Sequence, residues 1–269
     1  MKIWYYFILL VLLVSCNANL EQDVIKVKTD HLPKTILAIF AHPDDETTVS
    51  PVLAKYAALN KVHLVVATDG RYGITEHAGL PSGDSLVAVR TLETECACKK
   101  LGIEPPHFLN AKDGLGLNGH HDYYDEVKRL KVKIQQKISA LKPDIILTFG
   151  PDGDTGHPDH RLIGMLTTEI LLREGWAKNI DLYFFGWTKE QTKKFPADWG
   201  LGYVHPDYLN MAMKFSSKDE EKAFASLKCH TSQFTEKEIS DWIQAEQKDT
   251  TNVLYFRKFS LDTTQLKQF

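Results

Sequence analysis

Two short stretches of the chain concentrate side chains that can bind a metal or move protons. They are AHPDDE, residues 41–46, and GHPDH, residues 156–160, and each contains His-Pro-Asp after an apolar run. Together they offer His42, Asp44, Asp45, His157, Asp159 and His160. A catalytic zinc takes about three ligands from His and carboxylate and keeps one position for water. A further carboxylate beside the metal can accept the proton of that water.

The elements that must position these residues follow from the apolar pattern. Four compact apolar runs without polar alternation, typical of strands covered on both faces, lie at residues 36–40, 62–67, 145–149 and 182–185. Strand and helix alternate, which predicts an α/β fold: a doubly wound, mostly parallel, Rossmann-like sheet flanked by helices. Ligands bind such sheets outside the carboxyl ends of the strands, so both stretches are expected in one crevice.

Helical patterns fall between these strands, at residues 46–59, 84–101 and 122–141. The third has an apolar stripe at a spacing of three and four residues: Val127, Leu130, Ile134, Ile138 and Leu141. Asp122 is a candidate N-cap, and Pro143 ends the element. Gly102 closes the second helix, and TEKE at residues 235–238 predicts a capping box before another helix. Residues 71–83, with two Gly and a Pro, predict a long loop near the site.

Simpler interpretations of the two stretches exist. Asp44, Asp45 and Asp159 each precede a predicted helix, so any one of them alone is better explained as an N-cap. His-Pro-Asp is also the signature of J-domain co-chaperones, but there it joins two helices of a small, basic, all-helical module. Here it follows strands in an acidic chain. Six ionisable groups at two strand ends exceed what capping needs, and this concentration favours a catalytic site.

The bulk composition limits the possible functions. The 269 residues fit one large α/β domain or two small ones, and 43% are hydrophobic. A net charge of -3 gives no indication of a nucleic-acid partner. Cys96, Cys98 and Cys229 remain beyond the N-terminus, and this odd number argues against a disulfide framework. Cys96 and Cys98 are expected to be small buried residues.

The N-terminus has a composition of its own. One Lys precedes an apolar run at residues 3–14, which is too short for a comfortable membrane span and has the length of a signal-peptide core. The run ends at Leu-Val-Ser-Cys, which resembles a bacterial lipobox and makes Cys16 the expected lipid attachment site. A plain secretory signal cleaved later, or a short anchor, is the alternative. We therefore expect a signal peptide at 1–16, a tether at 17–33, one domain at 34–269, and an exported lipoprotein of the bacterial cell envelope.

The two stretches together resemble the motifs of a known family. AHPDDE after the first strand and GHPDH after a later one look like the PIG-L/LmbE-like N-acetylglucosamine deacetylases. The resemblance continues through ATDGRYG at 67–73, through Arg90 and Glu93 in RTLETECACKKLG, and through His230, Ser232 and Gln233 in the segment 220–234. It covers roughly residues 35–235, and the paired His-Pro-Asp motifs are its most specific part.

The resemblance implies a role for each motif residue. His42, Asp45 and His160 are implied as ligands of Zn2+, Asp44 as general base, and His157 as the group that stabilises the oxyanion or protonates the leaving amine. Arg90 is implied as a sugar- or phosphate-contacting residue; the alternative is a surface pair with Glu93 three residues on. Asp113 is a candidate contact for a sugar hydroxyl. The remaining histidines match no motif and are expected at or near the surface: His63, His77, His107, His120, His121 and His205.

The sequence therefore predicts a zinc-dependent hydrolase that removes an N-acetyl group from an N-acetylglucosamine-type sugar or glycoconjugate. Its expected partners are the N-acetylated substrate and, through the lipid, a membrane. The alternatives are another zinc amidase or carbohydrate esterase, and a glycan-binding lipoprotein without turnover. Export argues against thiol-cofactor biosynthesis and favours an envelope or environmental glycan. The sequence gives no indication of oligomeric state.

Overall fold

The strands form one mixed sheet, and both His-Pro-Asp stretches follow strands of its parallel part. The computed structural model describes residues 32–115 and 120–260, without the side chains of residues 120–122. The strands are β1 (Thr35–Phe40), β2 (Lys61–Thr68), β3 (His107–Ala111), β4 (Ile145–Phe149), β5 (Asp181–Phe185), β6 (Met211–Lys214) and β7 (Val253–Phe259). Their order is β3-β2-β1-β4-β5-β7-β6, and the first five run parallel. β7 pairs antiparallel with β5 and β6. The predicted α/β class and mostly parallel sheet are confirmed.

Seven α-helices are assigned within the described residues: α1 (Ser50–Ala57), α2 (Asp84–Leu101), α3 (His120–Leu141), α4 (Pro158–Arg173), α5 (Lys189–Thr192), α6 (Ser217–Leu227) and α7 (Glu236–Gln247). The predicted bounds of α2 are confirmed, and Gly102 ends it with φ 78. The capping box of Thr235 with Glu238 at α7 is also confirmed. The prediction of one continuous first helix is wrong, because the 3-10 helix Asp45–Val49 precedes α1. Asp122 is wrong as an N-cap, because α3 begins two residues earlier.

The core lies on both faces of the sheet because alternate residues of each buried strand point to opposite sides. In β1, Ile36, Ala38 and Phe40 pack into the cluster that contains α1 residues. Leu37 and Ile39 pack into the other cluster, which contains the apolar stripe of α3 and the buried face of α4. The loops at the carboxyl ends of the parallel strands lie outside these two apolar clusters, so polar side chains can gather there.

The two His-Pro-Asp stretches meet because β1 and β4 are neighbours in the sheet. From β1 the chain adds β2 and β3 on one side of the sheet, and it then adds β4 and β5 on the other side. The order in which strands are added therefore reverses between the parallel strands β1 and β4. Such a switch point opens a crevice at the carboxyl ends of the strands. Gly164 brings α4 close to this point, since a Cβ there would lie 2.2 Å from the carbonyl oxygen of Phe149.

A disulfide corrects one sequence expectation. Cys96 on α2 is bonded to Cys229, with 5.9 Å between the two Cα atoms, whereas we expected no disulfide and a small buried thiol at residue 96. The argument from an odd number of cysteines fails because Cys98 is the unpaired one and is buried. The bond ties α2 to the segment after α6, and both border the candidate site.

The expectations for the N-terminus are not addressed by the described residues. Cys16 and residues 1–31 lie outside them, and the described residues from Pro33 onward form one compact unit. In the ranges 32–115 and 120–260, no helix combines the length and apolar character needed to cross a membrane.

Candidate active site

The two stretches contribute side chains to one cavity at the ends of β1 and β4. The cavity has a volume of about 650 Å³. Its walls include all five residues implied as ligands or catalytic groups: His42, Asp44, Asp45, His157 and His160. Arg90 and Asp113, predicted to contact substrate, line it as well. The expected convergence on one crevice therefore occurs.

Asp45 is held so that one carboxylate oxygen faces the cavity. Its Oδ2 accepts the backbone N–H groups of Ala41 at 2.9 Å and His42 at 2.8 Å. Its Oδ1 lies 3.1 Å from His160 Nε2. Burial raises the pKa of Asp45, but the facing His160 and His42 outweigh burial and hold it well below its ordinary value. The carboxylate is thus ionised and oriented without capping a helix through its side chain.

His160 is fixed in one tautomer by its backbone contact. Its Nδ1 lies 3.1 Å from the carbonyl oxygen of Gly153, which only accepts, so Nδ1 carries the proton. The ring stacks on Phe149 at the end of β4, with centroids 4.1 Å apart. In the neutral ring, Nε2 is therefore the nitrogen with the lone pair, and it faces Asp45.

His42 is oriented in the same way by carboxylates. Its Nε2 lies 3.1 Å from Asp113 Oδ1 and 3.4 Å from Asp159 Oδ2. Donation from Nε2–H leaves Nδ1 as the lone-pair nitrogen, 3.1 Å from His160 Nε2. Carboxylates behind a ligating histidine are a common arrangement in metal sites, because they fix the ring and raise its basicity.

These three residues fit a zinc ion by the spacing of their donor atoms. Tetrahedral zinc with bonds of about 2.0–2.1 Å keeps its ligand atoms roughly 3.3 Å apart. His42 Nδ1 and His160 Nε2 are 3.1 Å apart, and His160 Nε2 lies 3.1 Å from Asp45 Oδ1. His42 Nδ1 lies 3.6 Å from the other oxygen of that carboxylate, Oδ2. His157 also offers a nitrogen within 4.8 Å of donor atoms of His42 and His160. The ligand set His42, Asp45 and His160 stays a prediction.

Asp44 occupies an unusual backbone conformation, with φ 100 and ψ -21. Non-glycine residues rarely adopt positive φ, and such strain is often found at functional sites. Although Asp44 directly precedes the 3-10 helix, its side chain caps nothing, so the N-cap interpretation is wrong. Its Oδ2 accepts from Arg90 at 3.0 Å. Burial raises the pKa of Asp44 to about 6, with Arg90 opposing the rise, which is a suitable value for a general base near neutrality.

Arg90 holds this conformation from behind. It is 3% exposed and donates to the carbonyl oxygens of Gly70, at 2.8 Å, and Pro43 as well as to Asp44. The alternative of a surface pair with Glu93 is wrong, because Glu93 is also buried and accepts from Ser232. Arg90 therefore positions Asp44 through its described contacts, and its contact with substrate stays a prediction.

The glycines of ATDGRYG make room for that guanidinium. A Cβ on Gly70, which has φ +66, would lie 2.5 Å from Arg90 Nη1, and one on Gly73 would lie 2.3 Å from it. The motif is thus explained as a cradle for Arg90. Asp113, reached from the loop after β3, accepts from Tyr72 N–H at 3.1 Å and faces His42. Its carboxylate supports His42, and its contact with a sugar hydroxyl stays a prediction.

His157 is exposed and precedes α4 as its N-cap. Its Nδ1 accepts the backbone N–H of Asp159 at 3.2 Å, which leaves Nε2 as the protonated nitrogen of the neutral ring. Burial, with His42 and His160 nearby, lowers the pKa of His157. Its ring contacts that of His42 edge-on, with centroids 4.7 Å apart. His157 thus presents a neutral N–H donor to the cavity.

Two buried residues near the site were not singled out as a pair from the sequence. His230 Nε2 lies 2.6 Å from Glu46 Oε1, and both side chains are fully buried. Glu46 is the last residue of AHPDDE, and His230 lies in the later family segment. The motifs therefore included both residues, but the sequence did not show that they pair. A third His-Pro-Asp triplet, at residues 205–207, was treated only as a surface histidine. His205 is indeed exposed, away from the residues that line the cavity.

Comparisons with known proteins identify relatives that are named as deacetylases. The 1D-myo-inositol 2-acetamido-2-deoxy-alpha-D-glucopyranoside deacetylase 2 of Catenulispora acidiphila is 32% identical over 145 residues, 48% of this chain and 48% of the relative. The chain spans about half the length of the curated relatives that it matches.

Two solved structures share the fold. One is the N,N'-diacetylchitobiose deacetylase from Pyrococcus horikoshii, with TM-score 0.59, 21% identity, and coverage of 84% of each chain. The other is the 4-carboxy-2-hydroxymuconate hydratase from Pseudomonas putida, with TM-score 0.61, 16% identity, and coverage of 87% of this chain and 100% of that one. The fold thus serves more than one reaction, and the reaction must be argued from the site. Residues 37–171, half of the chain, match the family described as PIG-L: GlcNAc-PI de-N-acetylase, and the chain belongs to that family.

Proposed function

We propose that the protein is a zinc-dependent N-deacetylase that hydrolyses the acetamide of an N-acetylglucosamine-type sugar or glycoconjugate. One observation carries the proposal. His42, Asp45 and His160 bring three donor atoms together beside Asp44, a carboxylate that caps nothing. Bound zinc would supply Lewis acidity that polarises the amide carbonyl and acidifies the attacking water.

The chain's own residues divide the proton transfers. Arg90 holds Oδ2 of Asp44, and within the described residues the other oxygen has no hydrogen-bond donor. That oxygen takes the proton of the attacking water. The neutral ring of His157 offers Nε2–H to the developing oxyanion. The lowered pKa of His157 favours the neutral ring, which suits the first of the two roles that the resemblance implies, stabilisation of the oxyanion. Asp44 is then the group that delivers the proton to the departing amine.

Relatives of this chain support an amino-sugar substrate. The deacetylase of Catenulispora acidiphila is named for a 2-acetamido-2-deoxy-glucopyranoside of inositol, and the structure from Pyrococcus horikoshii for diacetylchitobiose. We extend only their shared part, an N-acetylated glucosamine ring, to this protein. The cavity of about 650 Å³ is large enough for such a ring.

Export as a lipid-anchored envelope protein remains part of the proposal. Its support is the lipobox-like context of Cys16 and the disulfide between Cys96 and Cys229. Disulfides persist in oxidising compartments outside the cytoplasm. Mass spectrometry of the N-terminus tests the anchor: acylation at Cys16 that disappears in Cys16→Ala is expected, and an unmodified mature N-terminus contradicts it.

The enzymatic proposal is tested by acetate release from N-acetylglucosamine, diacetylchitobiose and N-acetylglucosaminyl-inositol. The full chain is assayed after chelation and again after addition of zinc. We expect release from at least one sugar that disappears on chelation and returns with zinc. Zinc binding without release from any of them, combined with saturable sugar binding, favours the alternative of a glycan-binding protein. Release from O-acetylated sugars only favours an esterase.

A further inference from the structure

A second cavity lies against the metal-binding residues. Its volume is about 320 Å³, and it shares Asp44, Asp45, His160 and Gln233 with the main cavity. We call it the aromatic chamber and define it by its apolar wall: Trp187, Phe195, Trp199, Leu201, Phe234 and Trp242. The two compartments thus meet at the point where the scissile group must lie.

The aromatic chamber has walls that pack against one another. Phe195 and Trp199 stack with centroids 5.5 Å apart and an interplanar angle of 26°. Trp242 contacts Trp199 with centroids 5.4 Å apart, and Phe234 contacts Trp242 at 5.7 Å. Trp187 and Phe195 are 3% and 6% exposed. Since the rings hold one another, the space beside them is a formed apolar cavity.

Apart from the shared residues Asp44, Asp45 and His160, most polar side chains of the chamber are already hydrogen-bonded within the protein, and only Thr155 has no side-chain hydrogen bond among the described residues. The hydrogen-bonded ones are Thr47, Thr48, Asp154, Gln233 and Glu238. The hydroxyls of Thr47 and Thr48 donate to the backbone oxygens of Asp44 and Asp45, at 2.7 Å and 2.9 Å. Asp154 accepts from Trp187 Nε1 at 2.7 Å.

The other two are engaged as well. Glu238 accepts from the backbone and hydroxyl of Thr235, both at 2.8 Å. Gln233 donates to the carbonyl oxygen of Gly73 at 3.0 Å. A sugar ring in the chamber would leave most of its hydroxyls without partners, which is costly. An apolar ligand has no such cost.

The chemistry of an amide decides which apolar group enters. A carbonyl carbon carries two substituents, the nitrogen with its sugar and the acyl carbon, and they point in different directions. The sugar is better accommodated in the main cavity, which is the larger of the two and is lined mostly by polar residues, including Asp113 and the exposed His157. The acyl carbon is then directed to the other compartment that borders the metal-binding residues. That compartment is the aromatic chamber.

The size of the aromatic chamber exceeds what acetate requires. A methyl group is similar in size to a water molecule, whose share of liquid volume is about 30 Å³. The chamber, at about 320 Å³, has room for several further methylenes. We propose that it is an acyl-binding subsite, and that the protein hydrolyses N-acyl amino sugars with chains of roughly four to eight carbons in preference to acetyl. This proposal rests on the proposed function, since it extends the same reaction.

The reaction balances in the same way for any chain length. Water adds to the carbonyl carbon, a C–O bond forms, and the C–N bond breaks. The amine leaves with one proton taken from the water, and the acyl group leaves as a carboxylic acid. That acid passes its remaining proton to the amine, so the products are a carboxylate and an ammonium ion. No oxidant or further reactant is required.

The first test is a chain-length series on the zinc-loaded full chain. The substrates are N-acetyl-, N-butyryl-, N-hexanoyl- and N-octanoylglucosamine, and release of the free amine is measured. Each buried methylene contributes about fourfold at best, so we expect kcat/KM to rise by roughly tenfold or more from acetyl to hexanoyl. Hexanoyl hydrolysed tenfold more slowly than acetyl overturns the acyl subsite and leaves the deacetylase proposal intact.

The second test narrows the chamber. Leu201→Trp adds bulk to its wall, and Leu59→Trp adds the same bulk at an exposed position, where the leucine is 81% exposed. We expect Leu201→Trp to lower the hexanoyl-to-acetyl ratio of kcat/KM by about tenfold, relative to Leu59→Trp, because each excluded methylene forfeits its burial. An unchanged ratio in a folded variant overturns the acyl assignment. If Leu201→Trp does not fold, the wild-type chain-length series decides.

Binding provides a readout that does not depend on turnover. Calorimetry with octanoate and acetate on the zinc-loaded protein is expected to give a Kd for octanoate at least tenfold lower. If no N-acyl sugar of any length is hydrolysed, the proposed function is wrong. The comparison of the two Kd values still decides whether the aromatic chamber binds acyl chains. Equal affinity for the two carboxylates overturns the chamber proposal.

Discussion

The triplets at residues 157–159 and 205–207 have the same sequence and nearly the same local structure. His157 has φ -60 and ψ 130 and accepts from the N–H of Asp159; His205 has φ -60 and ψ 134 and accepts from the N–H of Asp207. The first starts α4 beside β4, where it meets His42. The second starts the short helix Pro206–Tyr208 and is exposed. Both triplets thus form a local N-cap. Only the copy after β4, beside His42, contributes to the candidate site.

The triplet at residues 42–44 differs from both. It lies in a turn that places Asp44 at φ 100, and its histidine is buried between carboxylates. Under the proposed function, the first triplet supplies a zinc ligand and the general base, and the second supplies the oxyanion donor. The third is an exposed turn. The following predictions test this division, from the largest effect to the smallest.

The largest effect is expected for His160→Ala, which removes a proposed zinc ligand. Even residues that only support a ligand cost about 10- to 100-fold in metal affinity, so loss of a ligand should weaken zinc binding by more than about 100-fold. His205→Ala is the matched control at the third triplet and should bind zinc like the parent. Calorimetric titration with zinc measures both, and unchanged stoichiometry and affinity in His160→Ala contradicts the ligand set.

Next in size is Asp44→Asn, which keeps the shape but removes the base. General base catalysis contributes about 100- to 10,000-fold, so kcat should fall within that range while zinc stays bound. Asp207→Asn makes the same chemical change in the third triplet and should leave kcat unchanged. Steady-state kinetics on zinc-loaded protein decides, and near-normal turnover of Asp44→Asn removes it as the base.

His157→Ala is expected to lower kcat by about 100- to 1,000-fold, because it removes an oxyanion donor. His205→Ala, which deletes the same ring from the same local structure, should stay within about twofold of the parent, the usual outcome away from a site. Equal kinetic losses in the two variants would indicate a structural role for the triplet rather than a catalytic one. Circular dichroism of both variants separates folding from catalysis.

A smaller effect is expected from acidification. Burial raises the pKa of Asp44 to about 6, and the base must be ionised to work. Activity should therefore be constant above that pH and fall about tenfold for each pH unit below it. A pH profile of kcat measures this acid limb, and full activity at pH 5 contradicts a base of raised pKa.

The smallest effect tests the scaffold shared by the loops. Cys96→Ser with Cys229→Ser removes the cross-link between residues 133 apart in sequence. A disulfide constrains the unfolded chain, typically by about 2–4 kcal/mol. Urea unfolding without reductant should show a loss of that order, whereas Cys98→Ser alone keeps the cross-link and should not lose that stability until a reductant is added.

The predictable part of the molecule is the part with strong local signals. The four buried strands, α2 with Gly102 and the capping box at Thr235 were predicted, because apolar runs and caps are local. β3, β6 and β7 were missed. β6 is half-exposed, so it lacks a continuous apolar run. β7 is stabilised mainly by pairing with its neighbours, and such pairing is not visible in one segment of sequence.

The site shows the same limit. Residue types at the strand ends indicated the cavity, but partners from distant segments did not follow from sequence. Arg90 with Asp44 and His230 with Glu46 are pairs separated by 46 and 184 residues. The disulfide between Cys96 and Cys229 is likewise a tertiary fact, and counting cysteines gave the wrong expectation.

The separation of the proposed ligands has a consequence for how the protein matures. His42 and His160 lie 118 residues apart, and their nitrogens approach only when β4 has paired with β1. A newly made chain therefore has no complete zinc site until the centre of the sheet is assembled. Metal that binds the native state alone then holds the two halves together by mass action. With the proposed ligand set, zinc uptake would report the completion of folding, and chelation of the folded protein would remove a stabilising link between β1 and β4 along with the proposed chemistry.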